Sequence, residues 1–194
     1  MPRNYGLEKS LPTAHQRKPQ YTRGETWIRA FLHRGQVAHI ATVWDGQPFV
    51  TPTNYYFDDP GHRLIFHSNI TGRLRANIER NKHVCAEVSE IGRYLPSNVA
   101  LEFGVQFRSV MVFGEACVLD DRAEQRRMLH LLLAKYFAPM ERGKDYRPIT
   151  DTELKRTSVY ELRIESWSGK ENWKDQADQS DDWPALDEKW VVMP

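Results

Sequence analysis

Residues 37–77 read VAHIATVWDGQPFVTPTNYYFDDPGHRLIFHSNITGRLRAN. Apolar residues recur with a period of two through 37–43, Asp45-Gly46 is a hairpin signal, and 49–57 resumes the alternation, so the segment opens as an antiparallel pair of strands. The cluster Asp58-Asp59-Pro60-Gly61-His62 turns the chain again, and 63–68 reads as a third strand. That strand ends in His67-Ser68-Asn69-Ile70-Thr71-Gly72-Arg73, where the period lengthens to that of a helix over 73–80 with Leu74 and Ile78 inward. Hydroxyls, a glycine and two arginines at a strand-to-helix junction are the groups an anionic phosphate needs, although small polar residues also start ordinary helices. Of the arginines, Arg73 is the better placed, because Arg75 lies two positions on and does not share its helical face.

Outward from this segment the pattern continues. Residues 22–33 place Trp27, Ile28, Phe31 and Leu32 at helical spacing behind a possible cap at Thr22, and Gly35 stops the helix. Residues 83–90 and 103–120 read as fourth and fifth strands, separated by a loop over 91–101, and Gly114 inside the fifth predicts a bulge or sharp bend. Asp120-Asp121 starts a helix over 122–137 whose apolar stripe is Met128, Leu129, Leu132, Leu133 and Tyr136. Residues 140–157 are a charged connector with a short helix near 150–155, and 158–165 alternates as a sixth strand. The expected organisation is an extended arm over 1–21, one domain over 22–170, and an acidic tail over 171–194 that carries Trp173, Trp183 and Trp190 and packs on the barrel or a partner subunit. Six strands in meander order with inserted helices describe an α+β protein built on a small, mostly antiparallel barrel with peripheral helices. Such a barrel is filled by its own side chains, so a ligand sits outside it or at a subunit boundary.

Composition narrows the function. Lys plus Arg (27) nearly cancels Asp plus Glu (26), leaving no basic field to hold nucleic acid. No apolar run suited to a signal peptide or a membrane span stands in the first thirty residues, and Cys85 and Cys117 lack metal or disulfide spacing, so the expectation is a soluble cytoplasmic protein with no metal site.

Several motifs in this order carry a resemblance. Gln36-Val37-Ala38-His39-Ile40-Ala41-Thr42, Phe49-Val50-Thr51-Pro52-Thr53-Asn54-Tyr55-Tyr56, Phe66-His67-Ser68 with Gly72-Arg73, Arg108-Ser109-Val110-Met111-Val112-Phe113-Gly114 and Ser168-Gly169-Lys170 together resemble the FMN-binding split-barrel proteins related to pyridoxamine 5'-phosphate oxidase, nearest their nitroimidazole-resistance-like branch. The resemblance covers roughly 25–172 and implies a homodimeric split β-barrel with FMN in a groove between subunits and redox chemistry at the flavin. It implies cofactor contacts from Thr51, Pro52, Thr53 and Asn54 at the ring, from Ser68, Thr71, Gly72 and Arg73 at the phosphate, and from His67, Ser109, Trp167 and Lys170 around them. His67 is also the one candidate for proton transfer. Each has a plainer reading: Pro52 as an edge-strand mark, His67 and Ser109 as structural strand residues, Trp167 as packing at the barrel end.

The tail departs from the basic, arginine-bearing C-terminal segment with which pyridoxamine phosphate oxidases proper hold their substrate, which argues against that vitamin as substrate. The expected function is therefore an FMN oxidoreductase acting on an unidentified small molecule with NAD(P)H or a similar donor. The alternatives are a flavin-binding protein without turnover, and a haem or deazaflavin binder in the same groove, for which His39, His62, His67 and His83 supply candidate ligands.

Overall fold

The computed structural model describes residues 18–191, and most of the expected N-terminal arm, residues 1–17, lies outside them. After a turn of 3-10 helix at Pro19–Tyr21 come β1 (Thr22–Arg23), α1 (Glu25–Arg34), β2 (Ala38–Trp44), β3 (Gln47–Thr53), β4 (Tyr56–Asp58), β5 (Arg63–Asn69), α2 (Arg73–Arg80), β6 (His83–Leu95) and β7 (Gly104–Val118). The chain continues with α3 (Arg122–Tyr136), α4 (Asp151–Leu154), β8 (Thr157–Asn172) and a short α5 (Glu188–Val191). Among the described residues no helix is long and apolar enough to cross a membrane.

The strands form one sheet in the order β3-β2-β6-β7-β8-β5-β4, with β1 added on β8, and every ladder is antiparallel. This is the mostly antiparallel split barrel with peripheral helices that the sequence indicates, built from eight strands among the described residues where six were expected. The expected second strand over 49–57 is two strands, and Thr22 belongs to β1 while Gly24 stands at the start of α1. Strand β6 runs on to Leu95 by absorbing Gly92 in a register shift between Ile91 and Tyr94, and β8 runs on to Asn172 because β7 supplies its partner throughout.

Side chains of one parity fill the barrel. Ile40, Ala86, Val88, Val110, Val112 and Phe66 are fully buried, and Phe31 and Leu32 of α1 join them. Each of these other than Ala86 withdraws enough apolar surface for about 2 kcal/mol. The opposite face of β5 and β8 is covered by α3 and α4, where Ile65 and Val159 meet Met128, Leu129 and Leu154. The opposite face of β3, β2, β6 and β7 is left bare, with Val50 61% and Ile91 68% exposed.

Arg63 pins β4, β5, β8 and α3 together. Its guanidinium reaches Asp58 (2.7 Å), Glu161 (2.6 Å) and Glu124 (2.5 Å), and these carboxylates hold it charged against the cost of burial.

Closure depends on Gly114. The ladder between β7 and β8 passes from the pair Phe113 and Ser166 to the pair Gly114 and Ile164, leaving Glu165 unmatched as a bulge that bends β8. A Cβ on Gly114 would lie 1.9 Å from the Arg163 carbonyl oxygen, so only glycine permits the approach. Gly114→Ala is expected to cost about 2–4 kcal/mol in urea unfolding. Gly24→Ala, whose Cβ would meet nothing within 4 Å, should cost no more than about 1 kcal/mol.

Candidate functional site

The barrel is open where β3 leaves β4. The β4 to β5 ladder ends at the pair Tyr56 and Ile65; continued by one residue at a time it would set Thr53 against Ser68 and Pro52 against Asn69. Instead β3 turns at Asn54 and Tyr55 and pairs with β2, so Thr53 faces Ala38 and Thr51 faces Ile40. Two backbone edges are thereby left apart, one carrying Thr51, Thr53 and Asn54, the other carrying Ser68 and the turn into α2. Phe49, Thr51 and Thr53 share one face of β3 and are half-buried.

The turn is built to leave donors open. Asn69 Oδ1 accepts from the Thr71 backbone N–H (3.1 Å) and lies 3.3 Å from its hydroxyl, which folds 69–71 into a side-chain-closed turn. Gly72 then adopts φ 136°, a value that favours glycine, and α2 begins with no side chain capping it. The first N–H groups of α2 are consequently free to meet an anion. Ser68 turns inward, within 2.8 Å of the Tyr160 hydroxyl, and donates to the Asn69 carbonyl (3.0 Å).

The two arginines differ in what they already hold. Arg75 folds back along α2, donating to Glu79 and to the Ser158 hydroxyl (2.9 Å). Arg73 is exposed, has no carboxylate partner among the described residues, and rests its guanidinium 5.4 Å from the Trp44 ring centre and 5.0 Å from that of Phe49. A cation parked on two rings keeps its N–H edge available for bidentate contact.

The remaining candidates lie elsewhere in the protomer. His67 projects to the opposite side of β5 from Ser68, into a cleft of roughly 490 Å³ beneath α3 lined by Leu129, Leu132, Leu133 and Ile149 together with Tyr146, Thr157 and the ion pair of Arg147 with Glu153. Its Nδ1 is shielded from solvent without a partner, and burial lowers its pKa, so the ring is neutral. Ser109 and Lys170 are direct cross-strand neighbours on the bare face of the sheet, beside an ion-pair chain in which Arg108 joins Glu90 and Glu171 and lies 3.7 Å over Trp173. Trp167 packs the barrel end against Phe57 and His62, with Arg29 over its ring at 5.0 Å. Ten residues of β8, about 33 Å of extended strand, separate it from Thr157 beside the phosphate turn. One chain therefore gathers Thr51, Thr53, Asn54, Ser68, Thr71, Gly72 and Arg73 at the opening, and leaves His67, Ser109, Trp167 and Lys170 away from it. Pro52 lies on the outer side of β3, opposite His39, whose ring meets Glu87 at 3.0 Å.

Sequence reasoning missed Lys135. It reads as one more charged residue on an amphipathic helix, yet its amine reaches the Tyr55 carbonyl (3.1 Å) at the corner of the opening and lies 3.6 Å from that ring's centre. Its one sequence signal is its place beside Tyr136 at the end of the apolar stripe of α3.

The opening of this split antiparallel barrel thus carries an uncapped, arginine-bearing helix start. The family is identified directly: the chain belongs to the pyridoxamine 5'-phosphate oxidase family, whose model matches residues 25–171. The flavocytochrome Anf3 from Azotobacter vinelandii is 26% identical and superposes with a TM-score of 0.76 over 89% of this chain and 78% of its own. The FAD and haem binding protein from Mycobacterium smegmatis is 22% identical, with a TM-score of 0.71 over 82% of this chain and 76% of its own. A protein from Bacteroides thetaiotaomicron described as a candidate for 5-nitroimidazole antibiotic resistance is 19% identical, with a TM-score of 0.63 over 77% of this chain and 90% of its own. No curated protein matches the chain.

Burial brings the Lys135 pKa down from its ordinary 10.5 to about 8. Below that value the amine is charged in both folded and unfolded chains. Between about 8 and 10.5 the unfolded chain binds the extra proton, so stability rises with pH. The stability of the natural protein relative to Lys135→Met should therefore increase by about 1–2 kcal/mol between pH 7.5 and 9.5, measured as urea midpoints.

Proposed function

We propose that the protein binds a flavin along the opening of the barrel, as FMN, within a homodimer, and uses it for redox of a small molecule. The observation that carries this reading is Arg73: an exposed guanidinium with no carboxylate partner among the described residues, beside the open N–H groups of α2. Those groups fit a terminal phosphate. From there the half-buried face of β3 leads through Thr51 to Thr53 and Asn54, whose backbone and hydroxyl groups suit the polar pyrimidine edge of a flavin. Family membership and the flavin named for two structural relatives support the same reading. A bound flavin supplies hydride acceptance from a reduced nicotinamide and electron delivery to an acceptor. The chain's own contribution is to hold the phosphate, orient the ring and exclude water from one of its faces.

The second copy answers the bare sheet face. Val50 and Ile91 stand exposed on it with Val43, the kind of apolar surface that a second copy would cover. Ser109 and Lys170 lie on that face, so a dimer formed through it is the arrangement that would bring them near a partner's opening. Val50→Asp is expected to shift the protein to monomers in light scattering and to lower flavin content in parallel.

Haem beside the flavin is a second reading, favoured by the neutral, unpartnered His67 in its cleft beneath α3 and by the two relatives whose descriptions include haem or cytochrome. A neutral imidazole is the form that ligates iron.

One preparation tests these readings. Extraction and chromatography of the bound cofactor should yield FMN; recovery of FAD would overturn the monophosphate but keep the flavin, and colourless protein with no gain in Tm on adding flavin would overturn both. Arg73→Ala should weaken flavin binding by about 1.5–3 kcal/mol, roughly 10- to 150-fold, while Arg75→Ala leaves it within a few-fold. Anaerobic bleaching by NADH or NADPH with reoxidation by an added acceptor marks an enzyme; a flavin inert to every donor marks a binding protein. A Soret band that disappears in His67→Ala, with the flavin retained, would establish haem at that histidine.

A further inference from the structure

We propose that the solvent side of α3, together with the loop at 140–147, is a binding site for a small phosphate monoester, distinct from the barrel opening and sharing no residue with it. Arg122, Arg126 and His130 stand at i, i+4 and i+8 on one stripe of α3. The loop brings Arg142 and Tyr146 against them, forming two adjoining clefts of roughly 470 and 370 Å³ that share Arg127, His130 and Arg142. Space on this scale suits a small molecule. Leu131 and Tyr146 give one end an apolar floor.

The ion pairing is incomplete. Asp151 holds Arg126 (2.5 Å) and Glu124 holds Arg127 (2.8 Å), whereas Arg122 and Arg142 meet no carboxylate among the described residues. The other nearby acids are occupied: Glu141 reaches Lys144 (3.4 Å), Asp145 accepts from the Glu141 N–H (2.8 Å), and Asp121 accepts from the Ala123 N–H (2.9 Å) at the start of α3. Polar atoms inside the cluster are also unmet, for both ring nitrogens of His130 and Nη1 of Arg126 are shielded from solvent without a partner. Buried polar atoms of this kind are satisfied in nearly every folded protein, so their grouping beside guanidinium groups that no carboxylate meets points to an anion that completes them.

The loop is already shaped for the purpose. Gly143, at φ 87°, donates to the Tyr146 carbonyl (2.7 Å), and Asp145 donates through its N–H to the Glu141 carbonyl (2.9 Å), which fixes Arg142 and Tyr146 relative to α3. Burial, and then Arg142 and Arg126, keep His130 neutral. An anion seated between them reverses the arginines' effect and draws a proton onto the imidazole. Two unpaired guanidinium groups and a histidine that gains charge on binding match a dianion with three oxygens, which is a phosphate monoester, and the apolar floor receives its organic part.

The test uses the full chain with whatever cofactor it carries, and sulfate as a probe because it stays doubly charged from pH 6 to pH 8. Calorimetry of sodium sulfate, against sodium chloride at matched ionic strength, should show saturable binding that is about fivefold or more tighter at pH 6 and takes up a proton. Arg142→Gln should weaken binding by about tenfold at both pH values with an unchanged melting temperature in chloride, and His130→Gln should bind without the pH dependence. Phenyl phosphate should bind several-fold tighter than inorganic phosphate at fixed pH. Sulfate heats no different from chloride, or Arg142→Gln binding like the natural protein, would overturn the site. A pH dependence that survives in His130→Gln would remove the histidine from it. Equal affinity for phenyl phosphate and inorganic phosphate would reduce it to an inorganic-anion site.

Discussion

The architecture hinges on the backbone of Tyr55, which neither ladder pairs. The chain changes partners there, from β2 on one side to β5 on the other, so two main-chain groups are left in a fully buried position. An unpaired peptide group in such a place costs about 1–3 kcal/mol, and α3 removes that cost. The Tyr136 hydroxyl accepts from the Tyr55 N–H (3.0 Å) and lies 2.7 Å from the Gln36 carbonyl and 3.1 Å from that of Tyr55, which also accepts from Lys135. The Tyr55 side chain runs the other way and donates to the Leu32 carbonyl (2.6 Å) at the end of α1. Helices from both sides of the barrel thus clamp one residue, and the separation of the two edges follows from where it is held.

Much of this was legible in the sequence, and what was not has a physical reason. Phe49, Thr51, Thr53, Tyr55 and Phe57 keep one parity through the corner, so the alternation that announces a strand runs on while its hydrogen-bonding partner changes. Periodicity reports which face a side chain takes and carries no information about which neighbour the backbone meets. The same limit hid the last stretch of β8, where Ser166-Trp167-Ser168-Gly169-Lys170 has no apolar rhythm and is a strand because β7 lies beside it. Gly114 was readable because glycine inside a strand has few other meanings.

The binding residues divide the same way. Arg73 and Gly72 were visible since local geometry alone makes a helix start attractive to anions, and both lie within a few residues of the strand that leads there. Ser109, Trp167 and Lys170 came from resemblance, and within one protomer nothing brings them to the opening. Lys135, and the cluster of Arg122, Arg126, His130 and Arg142, were hidden for a different reason: charged residues four apart on a helix read as a solvated face until a loop twelve residues further on is laid across them.

The position of β8 in the sheet has a consequence for how the chain is made. It is the last strand among the described residues, and it pairs with β1, β5 and β7, all of which precede it by dozens of residues. Strands β3, β2, β6 and β7 can pair with one another, and β4 with β5, before residues 157–172 are made, but the facing edges of β5 and β7 stay open until then. Contacts of such long sequence separation form slowly, and unpaired edges are where nascent chains aggregate. Completion of the barrel therefore follows the synthesis of β8. Until that strand is seated, the nascent protein depends on dilution or a chaperone to keep its edges apart.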